Sequence, residues 1–263
     1  MKTRKALFLI PYLMWIILFV ILPILLILWY SFTDSNRSFT LNNYATFFRN
    51  GTFLRMMFNS FWYALLITLI TLLISYPAAY FLTKMLLIIL PTWINLLLKA
   101  YAFIGILGNN GLVNKFLQLF GIGPVNILFT DFAFIFVATY IEIPFMILPI
   151  FNAIKEINPA VIQASEDLGA SRWQTFKYVL WPLSRPGVES GVQAIFIPSL
   201  SLFMLTRLIG GNRVITLGTA IEEYFMTTMN WNMGATIGVI LIVLMVIAML
   251  ITSRKARRKK VDL

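Results

Sequence analysis

An all-α integral membrane protein with six transmembrane helices is the fold class this chain predicts, and three observations predict it. The first is composition: 60% of the 263 residues are hydrophobic, 12% are charged, and mean hydropathy is +0.85. A soluble domain of this size needs far more polar surface, so the bilayer is the solvent for most of the chain. The second is the spacing of apolar runs, which fall at about 6–32, 57–83, 85–107, 132–154, 186–206 and 234–253. Each run holds roughly 20 residues or more, enough to cross about 30 Å of hydrocarbon at about 1.5 Å per residue. The third is the placing of charge. Six spans put both termini on one side, and that side collects Lys2, Arg4, Lys5, Lys84, Lys155, Arg172, Lys177, Arg185 and the basic tail. The other side holds Arg37, Arg49, Arg55, Lys115, Arg207 and Arg213, with Lys99 inside a span. Positive charge gathers on the cytoplasmic face, so both termini are expected there.

Taken in order, the first run is too long and continuous for a cleaved signal peptide, and no small-residue cleavage pattern follows it. Pro11 and Pro23 within it are tolerable in a membrane helix, where prolines introduce kinks. Between the second and third runs only Thr83, Lys84 and Met85 intervene, short for an antiparallel connection. Either the spans end earlier than drawn, or a short polar loop is missing here. The loops at 108–131 and 207–233 each combine glycines with an amphipathic stretch: Leu112, Phe116, Leu117 and Phe120 in one, and Ile221, Tyr224, Phe225 and Met229 in the other. Both are expected to lie along the outer interface.

The stretch 155–187 is the long polar interruption on the basic side, and it is punctuated like a folded object. Asn158-Pro159 is a helix start, because Asn caps free amides and Pro fits the first helical position. Gly169 supplies the stop, where a left-handed residue closes a helix at little cost. Ser171-Arg-Trp-Gln174 then reads as a capping box opening a second helix, which Trp181-Pro182 is expected to end. The loop is drawn as 155–185, within a single membrane domain over 1–263. A helix–Gly–helix hairpin offered by a membrane protein to the cytoplasm is usually offered to a partner.

Absences exclude whole classes of chemistry. With no cysteine and no histidine, the chain has no disulfides, no Cys or His metal site, and no Ser-His or Cys-His nucleophile. No catalytic residue and no metal ligand is assigned. The net charge of +11 needs no nucleic acid, since the basic residues flank spans. No GxxxxGK[ST] phosphate loop is present, so ATP is not hydrolysed by this chain alone.

The hairpin resembles the coupling loop of type I ABC importer permeases, whose pattern is Glu-Ala-Ala, three residues, Gly, nine residues, then Ile-x-Leu-Pro. Here Gln163-Ala164-Ser165 takes the first place, Gly169 matches the Gly, and Val179-Leu180-Trp181-Pro182 matches the end. The neighbouring Asp167, Leu168, Ala170, Ser171 and Phe176, and the later Pro186-Gly187, also fit. Gln163, Ser165 and Trp181 depart from the family residues. Losing the Glu removes any ion pair made from that place but leaves the hairpin geometry. The resemblance implies a loop that docks on a separate ATPase subunit and transmits its closure to the membrane helices, with ATP and Mg2+ bound by that partner and no cofactor in this chain.

A second resemblance narrows the family. Pro91-Thr-Trp-Ile-Asn95 followed by Leu97-Leu-Lys-Ala-Tyr-Ala102 looks like the third-span signature of the B-type permease of spermidine/putrescine importers. Leu202-Phe203, Ile209-Gly210-Gly211-Asn212 and Asn230-Trp231-Asn232-Met233-Gly234 look similar to the same subunit. This implies a bacterial inner-membrane importer in which the chain pairs with a second, different permease, two ATPase subunits and an extracellular polyamine-binding protein.

A polyamine path calls for carboxylates, aromatic faces and amide oxygens. Glu142, mid-span in Tyr-Ile-Glu-Ile-Pro, is one expected contact; unpaired, it would be protonated, and Lys99 is its nearest structural alternative. Lys99 itself is expected to snorkel toward the outer interface. Trp93, Asn95 and Tyr101 stand on a proline-started helix and either line the path or, for the aromatics, belong to an interfacial belt. Glu222 and Glu223 are expected exposed on a short outer helix, attracting a cation or meeting the binding protein. Arg207 near the same mouth has no sequence-level account. Rival readings are an importer of the same architecture for sulfate or an organophosphonate, a proton-driven carrier, and a membrane-embedded lipid enzyme, the last poorly served by a chain without His or Cys.

Overall fold

The computed structural model describes residues 11–82, 90–211 and 213–258. Among them the chain is helical, with one isolated bridge pairing Thr33 and Phe39. In order come α1 (Pro11–Ser31), α2 (Asn42–Arg49), α3 (Gly51–Phe81), a 3-10 turn (Leu90–Trp93), α4 (Leu96–Leu107) and α5 (Leu112–Gln118). They are followed by α6 (Asp131–Lys155), α7 (Pro159–Asp167), α8 (Arg172–Ser199), α9 (Phe203–Gly210), α10 (Leu217–Glu222) and α11 (Trp231–Arg258). Five helical segments, Leu96–Gln118 among them, are long and apolar enough to cross a bilayer, and the bent pair α8–α9 makes six if it counts as one span. The protein is a multi-pass membrane protein.

The junction around Lys84 lies outside the described residues, as do the basic residues at the N-terminus. The flanking described helices end at Phe81 and begin at Leu96. At its other end α3 starts earlier than 57, because Asn50 caps it at Gly51 by accepting from the Thr52 amide at 2.9 Å.

Spans α3, α6 and α8 form the centre. Tyr63 donates to Asp131 at 2.7 Å, and Ser75 donates to the Ile143 carbonyl; both pairs are 68 residues apart, so α3 and α6 run parallel with a fixed register. Against α6, α8 packs antiparallel and close. A Cβ on Gly187 would sit 2.5 Å from the Pro149 carbonyl oxygen, and one on Gly191 would sit 2.6 Å from the Met146 sulfur. In a bilayer, small residues at such positions let backbones approach and supply van der Waals packing in place of a hydrophobic drive. α1 stays outside this centre along α11, its side chains from Tyr12 to Trp29 largely exposed.

The sequence places the end of the hairpin's second helix at Trp181-Pro182 and starts the fifth span at 186. The structure corrects both: α8 runs unbroken from Arg172 to Ser199. Within it, residues Phe176–Leu180 form a π turn, and the Trp181 amide bonds to the Phe176 carbonyl five residues back. The wider turn accommodates Pro182, whose missing N–H and ring would otherwise break an α-helix. The actual break comes after Ser199, where the chain bends by 58° into α9.

Candidate functional site

The hairpin folds by the local signals that its sequence carries. Asn158 caps α7 by accepting from the Ala160 amide at 3.0 Å, with Pro159 at the first position. At the far end of α7, Gly169 takes φ +80. Its amide bonds to the Glu166 carbonyl at 2.9 Å and the Ala170 amide to the Ser165 carbonyl at 3.0 Å, the two-bond pattern of a Schellman stop. The capping box is complete: the Ser171 side chain accepts from the Gln174 amide, and the Gln174 side chain accepts from the Ser171 amide. Ser165 and Thr175 hydroxyls meet at 3.0 Å and tie α7 to α8.

The ten residues read as coupling residues divide into two groups. Gln163, Ala164, Asp167 and Leu168 are exposed, Leu168 by 88%. Ser165, Gly169, Ala170, Ser171, Phe176 and Pro182 shape the hairpin and join it to the spans. Three exposed apolar residues were missed: Val161, Trp173 and Tyr178. An exposed aromatic on a capped polar helix was the signal for Trp173. Thr175 and Tyr76 were also missed, and no local pattern marks them. Tyr76 of α3 holds the base of the hairpin: its ring lies edge-on to Phe176 at 5.7 Å and 5.2 Å from Trp181, and its hydroxyl meets Ser184 at 2.6 Å. The hairpin is thereby tied to α3 as well as being continuous with α8.

The second group of predicted residues lies in the membrane. Glu142 is buried (7% exposed), and Lys99, expected to snorkel, is buried too (8%). Phe103 of α4 packs on Phe136 and Tyr140 of α6, and Lys99 lies one turn back from Phe103, within electrostatic reach of Glu142 on α6. The two charges act on one another electrostatically, yet among the described residues the ion pairs are Arg185–Glu189 and Arg207–Glu222. Snorkelling fails because Lys99, one turn into α4, is packed inside the protein rather than extended along an exposed face. The remaining members are not gathered with Glu142. Trp93 lies in the 3-10 turn, 76% exposed, and Tyr101 is 59% exposed on α4. Asn95 does not stand within a helix; it caps α4, accepting from the Leu97 amide at 2.8 Å.

At the end opposite the hairpin, Glu222 is not a free exposed carboxylate. It pairs with Arg207 across the gap between α10 and α9, which gives Arg207 the account that sequence lacked. Glu223 stays exposed beside it, and Arg207, Glu222, Glu223, Thr219 and Tyr224 line a cavity of about 240 Å3. The two amphipathic segments part company. Leu112, Phe116 and Phe120 are exposed, whereas Ile221 and Tyr224 pack onto a buried cluster with Phe53, Leu217 and Met233.

Comparison with known proteins places this architecture. Residues 44–261 match the family described as binding-protein-dependent transport system inner membrane component. The chain is 34% identical over 268 residues to the spermidine/putrescine transport system permease protein PotB of Haemophilus influenzae, covering 95% of this chain and 93% of that protein. It is 33% identical to PotB of Escherichia coli, covering 95% and 97%. The inner membrane ABC transporter permease protein YdcU of E. coli is 29% identical over 75% of this chain and 72% of its own. In structure, the chain resembles one from a bacterial ABC transporter involved in the import of the acidic polysaccharide alginate, with TM-score 0.84, 20% identity, and coverage of 98% and 96%. That likeness shows the fold. With most of its length matched in sequence and nearly all of it in shape, the protein belongs to the binding-protein-dependent transport system inner membrane components and has the fold of an ABC importer permease.

Proposed function

We propose that the chain is the non-catalytic permease subunit of an ATP-driven polyamine importer, forming half of the translocation pathway beside a second, different permease. The observation that carries this reading is the hairpin. A capped helix with exposed Val161 and Leu168 is closed by a left-handed glycine, and the capped helix that follows it runs without interruption into a membrane span. A solvated loop needs no such rigidity; a lever does. Two ATPase subunits, which bind ATP and Mg2+, engage the permease pair at the hairpins, with both termini on the same cytoplasmic side. Gln163, Ala164, Asp167 and Leu168 meet the ATPase surface. Ser165, Gly169, Ala170, Ser171, Phe176 and Pro182 hold the arm that passes its displacement to α8 and, through Tyr76, to α3.

The substrate class rests on the one-third identity shared with the spermidine/putrescine permeases over nearly the whole length. An extracellular polyamine-binding protein delivers the substrate to the end opposite the hairpin, where Glu222 and Glu223 lie. Glu142 is the pathway carboxylate, with Trp93, Asn95 and Tyr101 on the flank facing the second permease. Arg207, the cation at this mouth, is paired with Glu222, which is consistent with a cationic substrate. The test is co-purification with the ATPase, then hydrolysis and uptake in proteoliposomes. Labelled spermidine or putrescine is expected to accumulate and to stimulate hydrolysis while sulfate does neither; the reverse pattern overturns the substrate, and absence of any co-purified ATPase overturns the coupling.

A further inference from the structure

Lys99 and Glu142 together pose a problem that polyamine transport alone does not answer. A buried pair of opposite charges is costly to desolvate, and replacing such a pair by packed apolar residues is often neutral or stabilising. Each residue is more than nine-tenths buried, on neighbouring helices, yet the two are not joined as an ion pair.

The surroundings of Glu142 are those of an ammonium site. Thr139, one turn away on the same face of α6, has a buried hydroxyl oxygen with no hydrogen-bond partner among the described residues, and so does Thr71 on α3. The parallel register of α3 and α6 is 68 residues, and 139 minus 71 is 68, so these two hydroxyls lie at one level. Buried polar groups are normally satisfied, and an exception asks for a cause. A primary ammonium carries three donors and no acceptor. Glu142 and these two hydroxyl oxygens together offer acceptors for three such donors.

Lys99 already brings such a group. Its side chain is a primary ammonium on four methylenes, the same chemistry as the end of a linear aliphatic diamine. We propose that Lys99 is a tethered competitor of the substrate: its ammonium balances Glu142 when the pathway is empty and yields it to a polyamine ammonium during passage. This rests on the polyamine reading given above. The arrangement keeps the layer neutral in the resting state, so an inorganic cation gains no net anionic site, and it sets substrate affinity by exchange of one ammonium for another.

The experiment uses the whole importer, with its second permease and ATPase, in proteoliposomes, and reads labelled spermidine uptake against concentration. Lys99→Met removes the competitor at similar volume, and half-maximal uptake is expected at about tenfold lower spermidine, equivalent to about 1.4 kcal/mol. Lys99→Arg holds a carboxylate through two parallel bonds, so it is expected to move half-saturation the other way. With Glu142→Gln, uptake needs more spermidine, and adding Lys99→Met changes nothing further. If Lys99→Met lowers only the thermal midpoint or maximal rate and leaves half-saturation in place, the residue is a structural pin and the proposal falls. Additive effects of the two substitutions also overturn it. Should Lys99→Met fail to assemble, the Lys99→Arg shift decides alone. A wild-type complex that imports no polyamine sinks the substrate reading and this proposal together; wild-type uptake with unmoved half-saturation sinks only the proposal.

Discussion

The two ends of α8 both meet proline, and they treat it in opposite ways. At the hairpin end, Pro182 is absorbed into a continuous helix by the π turn Phe176–Leu180. At the far end, Pro198 is followed by a 58° bend. The hairpin end is built from contacts near in sequence: a cap at Asn158, a stop at Gly169, and a capping box at Ser171. Distant segments hold the other end. Phe129, at φ 63, bonds through its amide to the Ile209 carbonyl, and its ring lies against Gly211. Arg207 reaches Glu222. On the coupling reading proposed above, the span is stiff where it would be driven, with its arm capped by local contacts, and bent and held by long-range contacts at its other end.

That contrast can be broken at either end, beginning with the largest effect. Gly211 adopts φ 58 and ψ −150, a region open essentially to glycine, and a Cβ there would meet the Phe129 ring at 2.9 Å. Gly211→Val is expected to cost about 1–3 kcal/mol or more, read as a clear fall in Tm of the detergent-purified permease; an unchanged Tm would show that the far end is not locked by these contacts. Gly169→Val comes next. Its φ of +80 strains a β-branched residue, although no atom stands in the way. Strain of about 1–2 kcal/mol predicts roughly a tenfold loss of ATP-coupled uptake with membrane insertion intact, while Gly169→Asn, tolerant of that conformation, keeps most of it. Wild-type transport by Gly169→Val would remove the lever from the mechanism.

Ser171→Ala deletes one half of the capping box and is expected to destabilise the hairpin by about 1 kcal/mol. Faster amide hydrogen exchange confined to 171–175 is the readout, and a change spread through α6 would contradict local specification. The smallest effect is expected from Arg207→Ala. An ion pair this exposed contributes about 0–1 kcal/mol, so Tm should barely move. A large fall would place Arg207 among the determinants of the bend.

Much of the fold was legible because membrane spans are written in composition. The hairpin was legible because capping acts over three or four residues: Asn158, Gly169 and Ser171 do what their types and spacing say. Errors cluster where distance in sequence is large. Lys99 read as a snorkelling lysine because its carboxylate neighbour is 43 positions away (142 minus 99). Glu222 read as free because Arg207 lies across a turn, and Pro182 read as a terminator because a π turn leaves no residue signature.

What the sequence determined by itself is the solvent, the apolar runs that become membrane helices, and the shape of the capped hairpin at 158–182. These follow from transfer free energy and from hydrogen bonds closed within a turn or two. Only the tertiary structure decided that α3 and α6 run in parallel register, that Lys99 and Glu142 are both buried, and that the hairpin's second helix runs through Pro182 into the fifth span and bends only after Ser199. Those are contacts between helices, and in lipid they are set by close packing and by where buried polar groups find partners, neither of which a linear pattern records.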